Sequence, residues 1–299
     1  HENITPDFQT VFVRVSVLDK CDNITSFGIQ TIHITPPTLT QETFCAGTSV
    51  VLDVGPNYVN YTWSTLETTQ SIEVSVAGTY SVTLVDSNGC TDTFDIVVTQ
   101  LPLPNVTPTT ITECDYYNAA DGFMEFNLHD YDNQLTNNNP NVTTHFFLSQ
   151  ADLDIDFEEQ NATFLNTENP QILYVKVVDN TTLCFNITQL TLRGSFIDPN
   201  PAILELCDEI DSEDGINTFD LTMADADVID GLPTNTQVVY YETYADAELQ
   251  QNPLDANYTN TENPYLHTIF SRVENMDGCF GIDEVLLIVY DLPNIEENE

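Results

Sequence analysis

Two long stretches of this chain match each other at an offset of about 94 positions, and that repetition confines the fold to a series of like modules. Each stretch opens on Cys-Asp, as CDYYNAADGFMEFNL from Cys114 and CDEIDSEDGINTFDL from Cys207. Each passes through Thr-Glu-Asn-Pro, at 167–170 and 261–264, and closes on Cys-Phe at Cys184 and Cys279. A third copy is represented by its last strands, because VFVRVSVLDKC (11–21) parallels LYVKVVDNTTLC (173–184) and IFSRVENMDGC (269–279). Between them lies a different module bracketed by Cys45 and Cys90. Prolines at Pro36-Pro37, LPLP (101–104), DPNP (198–201) and Leu292-Pro293 mark the joints, and proline's fixed φ predicts stiff, nearly straight linkers there. The expected division is 1–37 as the end of one repeat, 38–102 as the different module, 103–198 and 199–293 as full repeats, and 294–299 as a linker to a next module.

Within the modules the period is two. QSIEVSVAGTYSVTLV alternates apolar and polar residues about Gly78, which predicts a half-buried antiparallel strand pair. No stretch sustains a helical period, and ADADVIDGL and the neighbourhood of Ala151 to Glu159 offer at most a helical turn each. Short strands separated by Asn, Asp, Gly and Thr turns predict an all-β fold class, tandem immunoglobulin-like β-sandwich modules in an extended array.

Seven cysteines are an odd number only until the repeats are aligned. Each full copy holds two at matching positions, which predicts Cys114 with Cys184 and Cys207 with Cys279; Cys45 with Cys90 makes a third pair, and Cys21 is left unpaired. Such usage points to an oxidising, extracellular compartment. Reduced cysteines or zinc ligands are the alternative, and no Cys-x-x-Cys or Cys/His spacing supports them. The start HENITPDF lacks the basic and apolar parts of a signal peptide, so an export signal and any anchor are expected elsewhere.

Residues 38–101, with Trp63-Ser64, Gly78-Thr79-Tyr80 and Asn88-Gly89-Cys90, resemble PKD-like and Ig-like modules of large secreted proteins of the Bacteroidota. The repeats carrying Cys-Asp, Asp-Gly, Thr-Glu-Asn-Pro and Gly-Cys-Phe resemble those of giant flavobacterial adhesins exported by type IX secretion, the SprB-like family of gliding-motility adhesins. The resemblance implies a location at the bacterial cell surface, a filament that attaches to or moves along external surfaces, and neighbouring modules of the same long chain as its first partners.

The charge is the other strong constraint. With 5 basic residues against 48 acidic ones the net charge is −43, so the surface cannot neutralise phosphates, which excludes nucleic acid and anionic membranes as partners. Cations become the natural ligands. In each full copy a loop presents oxygen side chains at one spacing ahead of a glycine: Asp115, Asn118 and Asp121 before Gly122, and Asp208, Asp211 and Asp214 before Gly215. With Asn127 and Asp220 further on, they form candidate calcium ligands; the competing reading is an acidic turn around a glycine of positive φ.

Three of the five bases, Arg14, Lys176 and Arg272, hold one place in the three copies of a strand, two residues after Phe12, Tyr174 and Phe270. The structural reading pairs each with a carboxylate across the sheet or at a joint, and the functional one is an aromatic-plus-cation ligand patch. Trp63 is expected to pack on a Cys45–Cys90 disulfide, with a sugar-stacking platform as the other reading. Nine Asn-x-Ser/Thr sequons, from Asn3 to Asn257, would predict heavy glycosylation in a eukaryote, whereas the bacterial resemblance implies that most follow from Asn/Thr-rich turns. His1, His33, His129, His145 and His267 have no metalloprotease spacing, no nucleophile elbow is present, and an active site is normally built once whereas these modules recur, so no catalytic residues are assigned and no enzyme is expected. The favoured function is structural, the stalk repeats of a long surface adhesin. The alternatives are a carbohydrate- or protein-binding module and the accessory region of a secreted hydrolase.

Overall fold

A computed structural model describes residues 8–17, 21–116, 121–210 and 213–293. Asn3, Asn118, Asp211, the side chain of Cys21 and the 294–299 segment lie outside the described residues. The chain is nearly all β and divides into two compact units, one of 1–104 with 179–185 and one of 105–178 with 186–299.

The first unit opens with a hairpin of two ten-residue strands, β1 (Phe8–Val17) against β2 (Cys21–Gln30). It continues with β3 (Gln41–Cys45), β4 (Val50–Asp53), β5 (Asn60–Trp63), β6 (Ser71–Val74), β7 (Gly78–Val85) and β8 (Thr91–Leu101). Four strands form one sheet in the order β3-β8-β7-β5, and β4 pairs with β6 in a second. The alternation read in 70–85 is real, but β6 and β7 do not pair with each other. The segment between them crosses from one sheet to the other, and each strand turns its alternate residues, Ile72 and Val74 or Val82 and Leu84, into the shared core. Trp63 lies in that core and donates through Nε1 to Thr69 O at 2.8 Å; Cys90 packs against the cluster as a thiol, so no disulfide underlies the indole.

The second unit holds two copies of one sandwich. The first copy runs β9 (Thr109–Cys114), β10 (Glu125–Asn127), α1 (Asp132–Leu135), β11 (Val142–Phe147), α2 (Gln150–Asp154), β12 (Thr163–Leu165), β13 (Gln171–Asp179) and β14 (Phe185–Ser195). The second runs β15 (Ala202–Cys207), β16 (Thr218–Asp220), α3 (Asp225–Val228), β17 (Gln237–Tyr241), α4 (Tyr244–Leu249), β18 (Asn257–Thr259), β19 (Leu266–Glu274) and β20 (Phe280–Tyr290). The sheets correspond, with β11-β13-β14-β9 and β10-β12 in one copy and β17-β19-β20-β15 and β16-β18 in the other. Their cores correspond too: Phe126, Leu128, Leu173 and Leu192 occupy the places of Phe219, Leu221, Ile269 and Leu287, and all of them are buried. Each long hairpin buries one face by alternation, which gives every sandwich its own apolar core.

One feature of topology recurs three times. The first strand of each sandwich pairs in parallel with its last, so Cys45 faces Leu101, Cys114 faces Ser195 and Cys207 faces Tyr290. The chain leaves all three strands alike, with Ala46, Asp115 and Asp208 donating their N–H to the carbonyls of Leu101, Ser195 and Tyr290 at 2.9, 2.8 and 2.8 Å.

Candidate functional site

The parallel register separates the two cysteines of each sandwich. Cys90 precedes β8 and Cys45 faces the last residue of that eleven-residue strand, which puts them roughly 36 Å apart at about 3.3 Å per residue. A disulfide needs Cα atoms within about 7 Å. The same holds for Cys184 with Cys114 across β14 and for Cys279 with Cys207 across β20. The pairings expected from the sequence, Cys45–Cys90, Cys114–Cys184 and Cys207–Cys279, are therefore corrected. The bonds formed are Cys45–Cys184, with Cα atoms 5.5 Å apart, and Cys114–Cys279, at 5.3 Å. Each runs from the strand-end cysteine of one sandwich to the hairpin cysteine of the next along the chain, and Cys90 and Cys207 remain thiols.

The hairpin cysteines are held by Asx-type turns. Asn275 Oδ1 accepts from the N–H groups of Asp277 and Cys279, both at 3.0 Å, and Asp86 Oδ1 accepts from those of Asn88 and Cys90 at 2.8 and 2.9 Å. In the hairpin carrying Cys184, one residue longer, Asp179 Oδ1 accepts from the amides of Thr182 and Thr181 at 2.8 and 3.0 Å, and these amides hold its carboxyl below the ordinary aspartate value. A carboxylate whose folded pKa is depressed contributes stability above its unfolded pKa, near 3.9, and loses that contribution as pH falls through the folded value. Acidification below about pH 3.9 should thus progressively weaken this turn. An NMR titration in which Asp179 protonates at or above that value would contradict the assignment.

Around Cys114–Cys279 the joint between the two copies is built from both sides. Asp277 accepts from Ser195 Oγ at 2.7 Å and pairs with Arg193 at 3.2 Å, and Asn275 Nδ2 donates to Ser195 Oγ at 3.0 Å. The Tyr116 and Phe280 rings lie 5.2 Å apart between centroids. A side chain at Gly281 would meet Ile197 O at 2.3 Å, so only glycine permits this approach. Arg272, buried, stacks on the Phe280 ring at 3.3 Å and donates to Ala247 O and Glu274. The other two bases of the series also have carboxylate partners: Arg14 pairs with Asp22 across the β1–β2 hairpin, and Lys176 pairs with Asp156 beyond α2.

The acidic loops are closed on their own backbone. Asp115 and Asp208, 3% and 4% exposed, turn inward; Asp115 Oδ2 accepts from Asp121 and Gly122 N–H, and Asp208 Oδ2 from Gly215 N–H at 2.7 Å. Asp121 and Asp214 cap Phe123 and Ile216, Asp220 caps Thr222, and Asn127 donates to Asp130. Among the described residues, no three His, Cys, Asp or Glu side chains gather to hold a metal. Gly122 and Gly215 sit at positive φ, 83° and 72°.

Sequence reasoning missed the residues that lock these loops. Asn166 and Asn260, just before Thr-Glu-Asn-Pro in each copy, are 2% and 0% exposed. Asn166 accepts from Met124 N–H and donates to the carbonyls of Gly122 and Glu168; Asn260 accepts from Asn217 N–H and donates to those of Gly215 and Asn263. The Asp-Gly and Thr-Glu-Asn-Pro landmarks recur together because one buried amide joins them. Tyr240 is likewise fixed as a donor: burial and the Asp225 carboxylate it bonds at 2.7 Å drive its pKa far above the ordinary tyrosine value.

Repeated sandwiches with disulfides from one to the next define the chain as a tandem immunoglobulin-like protein. The family described as the Flavobacterium inter-domain disulphide bond domain matches it twice, at residues 110–198 and 203–293, and the chain belongs to that family. Solved structures with similar architecture include titin domains I67–I69 (10% identity, TM-score 0.30, 86% of this chain and 97% of that one). Sidekick-1 immunoglobulin domains 1–5 (10%, 0.22, 95% and 72%) and Drosophila N-cadherin EC1-3 (13%, 0.21, 85% and 98%) are others. No curated protein matches. No described helix is long and apolar enough to cross a membrane.

Proposed function

We propose that this chain is a length of structural repeats from a long secreted surface adhesin or filament of a flavobacterium, serving attachment and, in that setting, gliding, with modules at 1–37, 38–102, 103–198 and 199–293. The observation that carries this reading is that both disulfides join neighbouring repeats. A bridge inside one sandwich stabilises that sandwich alone, whereas a bridge between sandwiches carries tension past an unfolded one. Disulfides of this kind fit an oxidising, extracellular setting. Cys207, exposed and placed as Cys45 and Cys114 are, is suited to the hairpin cysteine of a further repeat.

Pulling single molecules by their ends tests the reading. With both bridges intact, the shortest covalent path from Cys45 to Cys279 follows the backbone to Cys114 and crosses there, about 70 residues or roughly 24 nm when extended. Reduced, the same interval should extend over about 230 residues, roughly 80 nm. Equal lengths in the two states would sink the proposal.

A further inference from the structure

The turn that carries Cys90 is the turn that carries the bonded Cys279. Asp86 N donates to Cys90 O and Gly89 N to Asp86 O, both at 3.0 Å; Asn275 N donates to Cys279 O at 2.9 Å and Gly278 N to Asn275 O at 3.1 Å. The side chain of the leading residue caps the same two amides in each, as described above. The module containing Cys90 lies outside the stretches matched by the family, yet its other cysteine, Cys45, is already joined to a family hairpin at Cys184.

Register supplies an independent observation. In all three sandwiches the strand-end cysteine faces the residue eleven places after the hairpin cysteine, at Leu101, Ser195 and Tyr290. Counted likewise from Cys21, that residue is Ile32. The Cys90 sulfur lies 3.6 Å from the Ile32 carbonyl oxygen. The thiol thus stands where a strand-end cysteine would arrive if a strand ran along β2 as β9 runs along β14. β2 pairs with β1, and among the described residues their sheet has no third strand. The face that would support such a strand is apolar and open: Val13, Val15 and Phe27 are exposed, whereas their counterparts in the last repeat, Ser271, Val273 and Val285, are fully buried.

We propose that β2 and Cys90 form a strand-addition site for an extended segment that ends in cysteine, of the kind seen at Thr109–Cys114 and Ala202–Cys207. The segment pairs in parallel with residues 27–32 and closes a disulfide to Cys90. Main-chain bonds give such an interaction its affinity and alternate side chains its selectivity. By register, the residue three places before the incoming cysteine, Ile111 or Leu204 in the known strands, lands beside Ile29 and must be apolar. In the natural joint two thiols would give two electrons and two protons to a disulfide oxidant. The inference rests on the stapled-repeat reading and extends it to a module outside the family match.

The test uses the full chain with Cys21→Ser and Cys207→Ser, leaving Cys90 as its thiol. The probe is the peptide Ala202–Asp208, AILELCD, as its mixed disulfide with thionitrobenzoate. The Cys90 thiolate attacks the peptide sulfur, the bond to thionitrobenzoate breaks, and thionitrobenzoate leaves as a coloured thiolate. Labelling of Cys90 is expected to run at least tenfold faster than with a scrambled peptide or with one carrying Leu204→Glu, and the adduct should slow amide exchange across residues 27–32. Equal rates for the three peptides, or fast labelling without slowed exchange, would overturn the proposal. Peptide mapping of Cys45–Cys184 and Cys114–Cys279 in the same sample reports separately on the stapled-repeat reading.

Discussion

Replacing Cys114 with serine should destabilise the second unit severely, while replacing Cys90 should change little. Cys114–Cys279 closes a loop across 165 residues, for which the chain-entropy estimate is about 5 kcal/mol, an upper figure because the denatured chain keeps some structure. The ion pair of Arg193 with Asp277 and the Tyr116–Phe280 contact rely on the same alignment and should weaken with it. Calorimetry of oxidised protein checks both arms. The Cys90→Ser arm is the sharper one: a Cys45–Cys90 bond would make it costly, whereas a thiol at the end of a capped turn makes it neutral within about 0.5 kcal/mol. A large loss at Cys90 would reinstate pairing within each sandwich, and none at Cys114 would mean that its bridge adds nothing to stability.

Asn260→Ala should cost about 3–5 kcal/mol, since it strands the Asn217 N–H and the carbonyls of Gly215 and Asn263 in a site with no solvent access. Asn166→Ala should do the same in the preceding copy. Aspartate at either place keeps the acceptor and loses both donations, adding a buried charge, so it should be no better than alanine. Faster amide exchange at Asn217 or Met124 identifies the local cause. A cost below about 1 kcal/mol for both alanine variants would mean that the loops hold without the amide.

The all-β class and the sandwiches were readable from the two-residue alternation, which is strongest where one face meets a core, as in β7, β8, β13 and β19. The repeat landmarks were readable as well. Their partners were not, because recurrence tells which positions are alike and not which end of a strand they occupy. Cys184 and Cys114 recur together and sit at opposite ends of β14. Only the parallel pairing of first and last strands reveals this, and neither composition nor period encodes it. The aspartates after Cys114 and Cys207 were readable as oxygen donors; that Asp115 and Asp208 turn inward and accept from backbone amides of their own loops was not. Asn166 and Asn260 were visible as an asparagine ahead of Thr-Glu-Asn-Pro in both copies, but nothing in the sequence tells a buried asparagine from the many in turns.

The two bridges overlap, since Cys114 lies inside the loop closed by Cys45 and Cys184, and Cys184 lies inside the loop closed by Cys114 and Cys279. Every peptide bond from Cys45 to Cys279 is therefore spanned by at least one bridge. A protease that cuts once anywhere in that interval leaves both fragments tied together, and parting the two ends takes three cuts, one in each of the stretches 45–114, 114–184 and 184–279. For a molecule exposed to the enzymes of its surroundings, a nick becomes damage that the chain survives.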